Sequence, residues 1–202
     1  GIVFASPTST VYAEGGTGTT GGLIIDGESD MEGVGYSYKG ATQTLTLNGY
    51  NGKEIMFSDL TIQTIKVEGN NTITVDKTSK PFDAFGYSYN VGIGSKGAIT
   101  ITGSGSLAIN VETSDVKESC YGIGVENGMT INGGNISINI NSFYDQQSIG
   151  LFSSQGSIKV EGDATLDIKA KTGAMKTSNG DIILSGTKEK KILTNVSEDT
   201  WR

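Results

Sequence analysis

A short motif returns along most of this chain, always in the same direction: apolar residue, any residue, apolar residue, polar residue, glycine. It stands at Leu45–Gly49, Ile65–Gly69, Ile99–Gly103, Met129–Gly133, Ile158–Gly162 and Ile182–Gly186. Two copies extend further and nearly match, Ile65-Lys66-Val67-Glu68-Gly69-Asn70-Asn71-Thr72-Ile73 and Ile158-Lys159-Val160-Glu161-Gly162-Asp163-Ala164-Thr165-Leu166. A second alternating strand follows the glycine, as in Leu107-Ala108-Ile109 or Ile136-Ser137-Ile138. Ahead of the later units stand Gly92-Ile93, Gly122-Ile123, Gly150-Leu151 and Gly173-Ala174. Each unit therefore holds three short strands, and self-similarity of this kind marks a repeat architecture.

Strands of three to five residues are too short for an ordinary sandwich. Alternation sends every second side chain to one face. If the units coil, those side chains stack into one apolar column, with successive turns about 4.8 Å apart. Uneven unit lengths are then tolerated, because extra residues bulge from a corner without disturbing the stack. An antiparallel sandwich is the competing fold, but the units match in one direction and hairpin Asn-Gly turns are few. A left-handed β-helix requires a strict hexapeptide rhythm, which is absent. The expected fold is all-β: a right-handed single-stranded parallel β-helix, a solenoid of about six coils with lateral loops, over residues 22–202.

Composition agrees. The chain has 30 Gly and only 2 Pro. Glycine supplies turns at positive φ, and the abundant Ile, Val and Thr suit pleated strands. The net charge of −7 argues against a nucleic-acid partner, which calls for clustered Lys and Arg. No run is long and apolar enough for a membrane span, so membrane insertion is not expected. Residues 1–21 read as a signal-peptide remnant and flexible lead-in, because Val11-Tyr12-Ala13 has the small-residue ending of a cleavage site. That places the protein outside the cell, secreted or on the cell surface.

The segments Gly35-Tyr36-Ser37-Tyr38, Ala41 to Asn48 and Ile99 to Leu107 resemble the repeats of secreted β-helix proteins of Gram-positive, often gut-dwelling, bacteria. These are described as carbohydrate-binding-domain or adhesin-like, with a fold similar to that of polysaccharide lyases. The resemblance covers roughly residues 22–193. It implies a β-helix and a carbohydrate or host-surface partner, and it carries over no catalytic residue.

The insertions locate a recognition surface. After the third strand of successive units come Asp76–Asn90, Glu112–Tyr121, Asn141–Ser148 and the short Lys169–Thr172. In stacked coils these project from one corner. They carry Phe82, Phe85, Tyr87, Tyr89, Tyr121, Phe143 and Tyr144 beside Asp83, Asp115, Glu118, Asp145, Gln146 and Gln147. Sugar rings pair apolar C–H faces with hydroxyls, so aromatic plates among carboxylates and amides suit them. The candidate ligand-binding residues are Tyr87, Tyr89, Asp83, Tyr121, Tyr144 and Asp145. Phe82 and Phe85 are expected to fold back as a satellite core, and Tyr87, Tyr89 and Tyr144 fit either role. The expected partner is a polysaccharide, from plant cell wall or host glycan. A host surface protein is the alternative, for a stalk or adhesin.

Catalysis is the minority reading. The chain has no His, and its one arginine is Arg202, so a lyase would have to recruit a lysine base. A hydrolase needs two carboxylates about 5–10 Å apart; Asp163, Asp167 and Asp181 are available, though turn residues of this kind are normally just solvated. No catalytic residue is assigned. Cys120, the only cysteine, reads as a small buried hydrophobe. No cofactor is expected, apart from calcium on Glu161, Asp163 and Asp181, placed near corresponding corners of adjacent coils.

Overall fold

The computed structural model describes residues 21–84, 87–112, 119–141, 147–186 and 188–194. The expectation for the lead-in therefore falls almost wholly outside the described residues. Every regular element described is a strand, and the strands fall into three sheets. The first sheet runs Leu23–Ile25, Ile55–Phe57, Tyr87–Ser95, Cys120–Val125, Ser148–Ser153 and Gly173–Thr177. The second holds Thr44–Asn48, Ile62–Glu68, Ala98–Gly103, Met129–Ile131, Ile158–Val160 and Ile182–Leu184. The third holds Asn51–Gly52, Asn70–Val75, Ser106–Glu112, Asn135–Asn141, Thr165–Ala170 and Lys190–Thr194. The chain visits first, second and third sheet in rotation, and these successive strands pair in parallel. That pairing removes the antiparallel sandwich from consideration.

Register turns the repeats into vertical columns. Leu45, Ile65, Ile101, Ile131, Val160 and Leu184 stand opposite one another in the second sheet. Ile73, Ile109, Ile138 and Ile168 do so in the third, and Ile55, Ile93, Ile123, Leu151 and Met175 in the first. Nearly all of these side chains are buried in one core between the sheets. A strand of period two points a fixed set of residues inward, so in-register stacking places like on like. Dry contact of this kind is worth about 1.5–3 kcal/mol per large aliphatic side chain.

Two columns depart from the simple reading of the repeats. Gly103 stands opposite Val67, and Gly105 packs against the Gly69 carbonyl. The motif glycines are thus offset by two residues at that step. An even offset keeps the inward set inward, whereas an odd one would expose the core. In the first sheet Gly92, Gly122 and Gly150 form a column continued by Ala174, not Gly173. A Cβ on Gly92, Gly122 or Gly150 would lie 2.4, 2.6 or 2.5 Å from Cγ2 of Ile109, Ile138 or Ile168. These glycines let the third sheet's isoleucines press onto first-sheet backbone.

The two ends differ. At the N-terminal end Tyr36–Lys39 pairs antiparallel with Thr44–Asn48 and Met31–Gly33 pairs antiparallel with Tyr36–Lys39, extending the second sheet. Met31, Tyr36 and Tyr38 are buried there, and the Tyr38 hydroxyl donates to Gln63 Oε1 at 2.5 Å. At the other end Ile182, Ile183 and Leu184 are 38%, 44% and 45% exposed, although the residues opposite Ile182 and Leu184 in the preceding strand are fully buried.

Candidate binding groove

The first sheet is covered on both faces. All six residues of Cys120–Val125 are buried, which one core cannot accomplish, because alternate side chains point away from it. The outer face carries its own apolar cluster of Met56, Phe82, Ala84, Tyr89, Val91, Tyr121 and Ile149, with Phe152 packed against it. The cover comes from the first long connection between third and first sheets. There Phe82–Ala84 pairs antiparallel with Tyr87, Ser88 and Tyr89 and folds back over the sheet. Outward-facing Gly94 makes room, since a Cβ there would meet the Phe82 ring at 2.9 Å.

The rings form a ladder across the turns. Centroids lie 5.9 Å apart for Phe82–Tyr89, 5.0 Å for Tyr89–Tyr121 and 4.5 Å for Tyr121–Phe152, the last pair stacked at 16°. Burial, with the nearby Tyr121 and Glu126 adding to it, pushes the Tyr89 phenol up to about 12. Burial likewise raises Tyr121 against a hydrogen bond with Ser119. Both remain neutral hydroxyls over the physiological range, and Tyr121 donates to Gln147 Oε1 at 3.3 Å. The Glu126 carboxyl is also raised by burial, with Lys96 opposing.

Beside this ladder lies a groove of about 470 Å³, within the usual range for small-ligand sites. Register explains its make-up. Ser88, Ser119 and Gln147 each stand at or just before the start of a first-sheet strand and form one rim. Ser154, Gln155, Ser178 and Asn179 follow the ends of the last two strands and form the other. Tyr89, Tyr121 and Phe152 line it between the rims, with Lys176 directly opposite Phe152 in the neighbouring strand. Asn179 Nδ2 donates to Gln155 Oε1 at 3.4 Å across two turns. The described lining contains hydroxyls, amides, rings and one ammonium, and no carboxylate.

Of the residues expected from sequence, Tyr89 and Tyr121 line the groove, and both also belong to the satellite cluster. Phe82 is buried in that cluster, as expected. Asp83 is exposed on the hairpin, accepts from Ser88 Oγ at 2.5 Å and does not line the groove. Tyr144, Asp145 and the Tyr87 side chain lie outside the described residues, as do Phe85, Asp115, Glu118, Phe143 and Gln146. Sequence reasoning missed Phe152, Gln155, Lys176, Ser178 and Asn179. Phe152 had a signal: it occupies the outward position held by Gly94 and Gly124 in the strands before it.

The shared corner expected for Glu161, Asp163 and Asp181 does not form. Glu161 and Asp163 follow Ile158–Val160, whereas Asp181 precedes Ile182, the partner of Ile158. The two sets flank a three-residue strand at its opposite ends, about 13 Å apart along it at 3.3 Å per residue. Among the described residues no group of three or more acidic or cysteine side chains is placed to hold a metal ion.

No family model, no curated protein and no solved structure matches the chain.

Proposed function

We propose that this chain is a right-handed, single-stranded parallel β-helix of about six coils, secreted or displayed at the cell surface, whose groove binds polysaccharide without transforming it. The observation that carries the reading is the aromatic floor between two polar rims. Half-buried Phe152 adjoins the Tyr121 ring, and the rims offer Ser, Gln and Asn. A pyranose presents an apolar face and a belt of hydroxyls, and this arrangement meets both. The floor runs over four adjacent strands, about 14 Å at 4.8 Å per rung, so a linear glycan lies along the stack. The rotation of the chain through three parallel sheets supports the coil architecture. Plant cell-wall and host glycans are the expected sources.

The enzymatic alternative, a polysaccharide lyase, requires a base at the reacting carbon. In the described lining that role falls to Lys176 or a tyrosine. Binding on a glycan array separates the readings. Selective retention of polysaccharide by the native chain, lost in Phe152→Ala while the melting temperature holds within a few degrees, is the expected result. Release of unsaturated oligosaccharide, followed by ultraviolet absorbance, would overturn the non-catalytic reading.

A further inference from the structure

The groove of the proposed polysaccharide site is built to donate. The Oε1 atoms of Gln147 and Gln155 accept from the Tyr121 hydroxyl and from Asn179 Nδ2. Each glutamine's Nε2 has no partner among the described residues, so both keep two N–H donors for a ligand. The two amides stand on opposite rims, Gln147 ahead of Ser148–Ser153 and Gln155 behind it.

Charge points the same way. Lys176 is the one ionised side chain in the described lining, in a chain whose net charge is −7. It forms no ion pair among the described residues, and it stands opposite Phe152, the least buried ring of the ladder. Among the described residues the Glu126 carboxylate acts on Tyr89 and is itself countered by Lys96. A free ammonium beside a stacking ring, with unspent amide donors on both rims, matches a sugar that carries an anionic acceptor.

The geometry points to an acidic glycan as the ligand: a saccharide bearing a carboxylate or a sulfate ester, its ring on Phe152 and its anion on Lys176 and the glutamine amides. This inference rests on the polysaccharide reading of the same groove and narrows it to one chemical class. Charge-assisted hydrogen bonds outrank neutral ones, and they discriminate against a neutral sugar, which leaves the ammonium without a counterpart.

Calorimetric titration of the full chain tests it, with three probes of matched length: an oligogalacturonate, a chondroitin sulfate oligosaccharide and cello-oligosaccharide. One anionic probe is expected to bind at least about tenfold tighter than the neutral one at low salt, and the better anion identifies the source as uronate or sulfate. Lys176→Met should abolish that preference, and Lys176→Arg should keep it. Lys176 is exposed, so neither variant threatens the fold, and an unchanged melting temperature verifies this. Equal affinity for charged and neutral probes, or a preference that survives in Lys176→Met, overturns the acidic-ligand inference and leaves polysaccharide binding standing. Binding to none of the three, with a glycan array also blank, overturns both.

Discussion

Along Asn135–Asn141 exposed and buried residues alternate without a break, while in Cys120–Val125, one sheet away on the same turn, every residue is buried. Inside, the two sheets are equivalent: both send isoleucines into the common core. Outside, the third sheet carries Ser137 and Asn139 in solvent, whereas the first carries rings. The difference arises at the corner between them, where connections are long enough for one to fold back as a hairpin. The inner columns therefore hold the scaffold together, and the outer face of a single sheet is free to become a site.

Substitutions on one strand should break this equivalence most sharply. Ile138 is 1% exposed and sits between Ile109 and Ile168. Ile138→Ala is expected to cost about 2–5 kcal/mol, the range for deleting a buried aliphatic side chain. Ser137→Ala, its exposed neighbour, should stay within about 0.5 kcal/mol. Chemical denaturation of the two variants checks the pair, and comparable losses would mean that the third sheet's outer face is also a packing surface.

The glycines sharpen the contrast between inner and outer faces. A Cβ on Gly122 would lie 2.6 Å from Ile138 Cγ2 and 2.7 Å from the Gly150 carbonyl oxygen. Gly122→Ala is expected to destabilise by about 1–3 kcal/mol through overpacking. A Cβ on Gly124 faces outward and first meets the edge of the Tyr121 ring at 3.1 Å. Gly124→Ala should cost less, and its main signature should be a shift of the aromatic ladder seen in near-ultraviolet circular dichroism. A larger loss for Gly124→Ala than for Gly122→Ala would reverse the roles assigned to the two faces.

What the sequence discloses follows the same division. Alternation in Asn135–Asn141 and in the Ile-Thr-Ile segments reports which face is inside, because one face of those strands is wet. Cys120–Val125 has no alternation to read, since both faces are buried, and its Gly122 looks like a turn marker when it is a contact point for Ile138. The two-residue slip at Gly103 was hidden because Gly103 and Gly105 serve equally well as the motif glycine, and only pairing with Val67 and Gly69 tells them apart. For the groove, Tyr89 and Tyr121 were legible as aromatics at the ends of long connections. Lys176 and Phe152 lie inside strands with 23 residues between them, and register alone makes them neighbours.

The smallest expected effect concerns how the connection that covers the first sheet is anchored. It begins at Asp76, whose Oδ2 accepts from Lys53 Nζ at 2.7 Å, while Thr78 donates to Oδ1 through its backbone N–H and its hydroxyl. Burial raises the Asp76 carboxyl, but the bonds from Lys53 and Thr78 outweigh it and hold the group at about 2, below its ordinary 3.8. A carboxyl held low in the folded state contributes stability that is complete above 3.8 and is lost as pH falls toward 2. The side chain is about a third exposed, so solvent screening keeps the contribution small. Hydrogen exchange across Phe82–Ala84 and Ser88–Tyr89 should therefore speed up selectively between about pH 4 and pH 2, with the isoleucine columns protected throughout. Lys53→Met should flatten that acid dependence. Uniform loss of protection in both regions would show that the hairpin and the core open together, and the outer face would then be as much a part of the scaffold as the inner one.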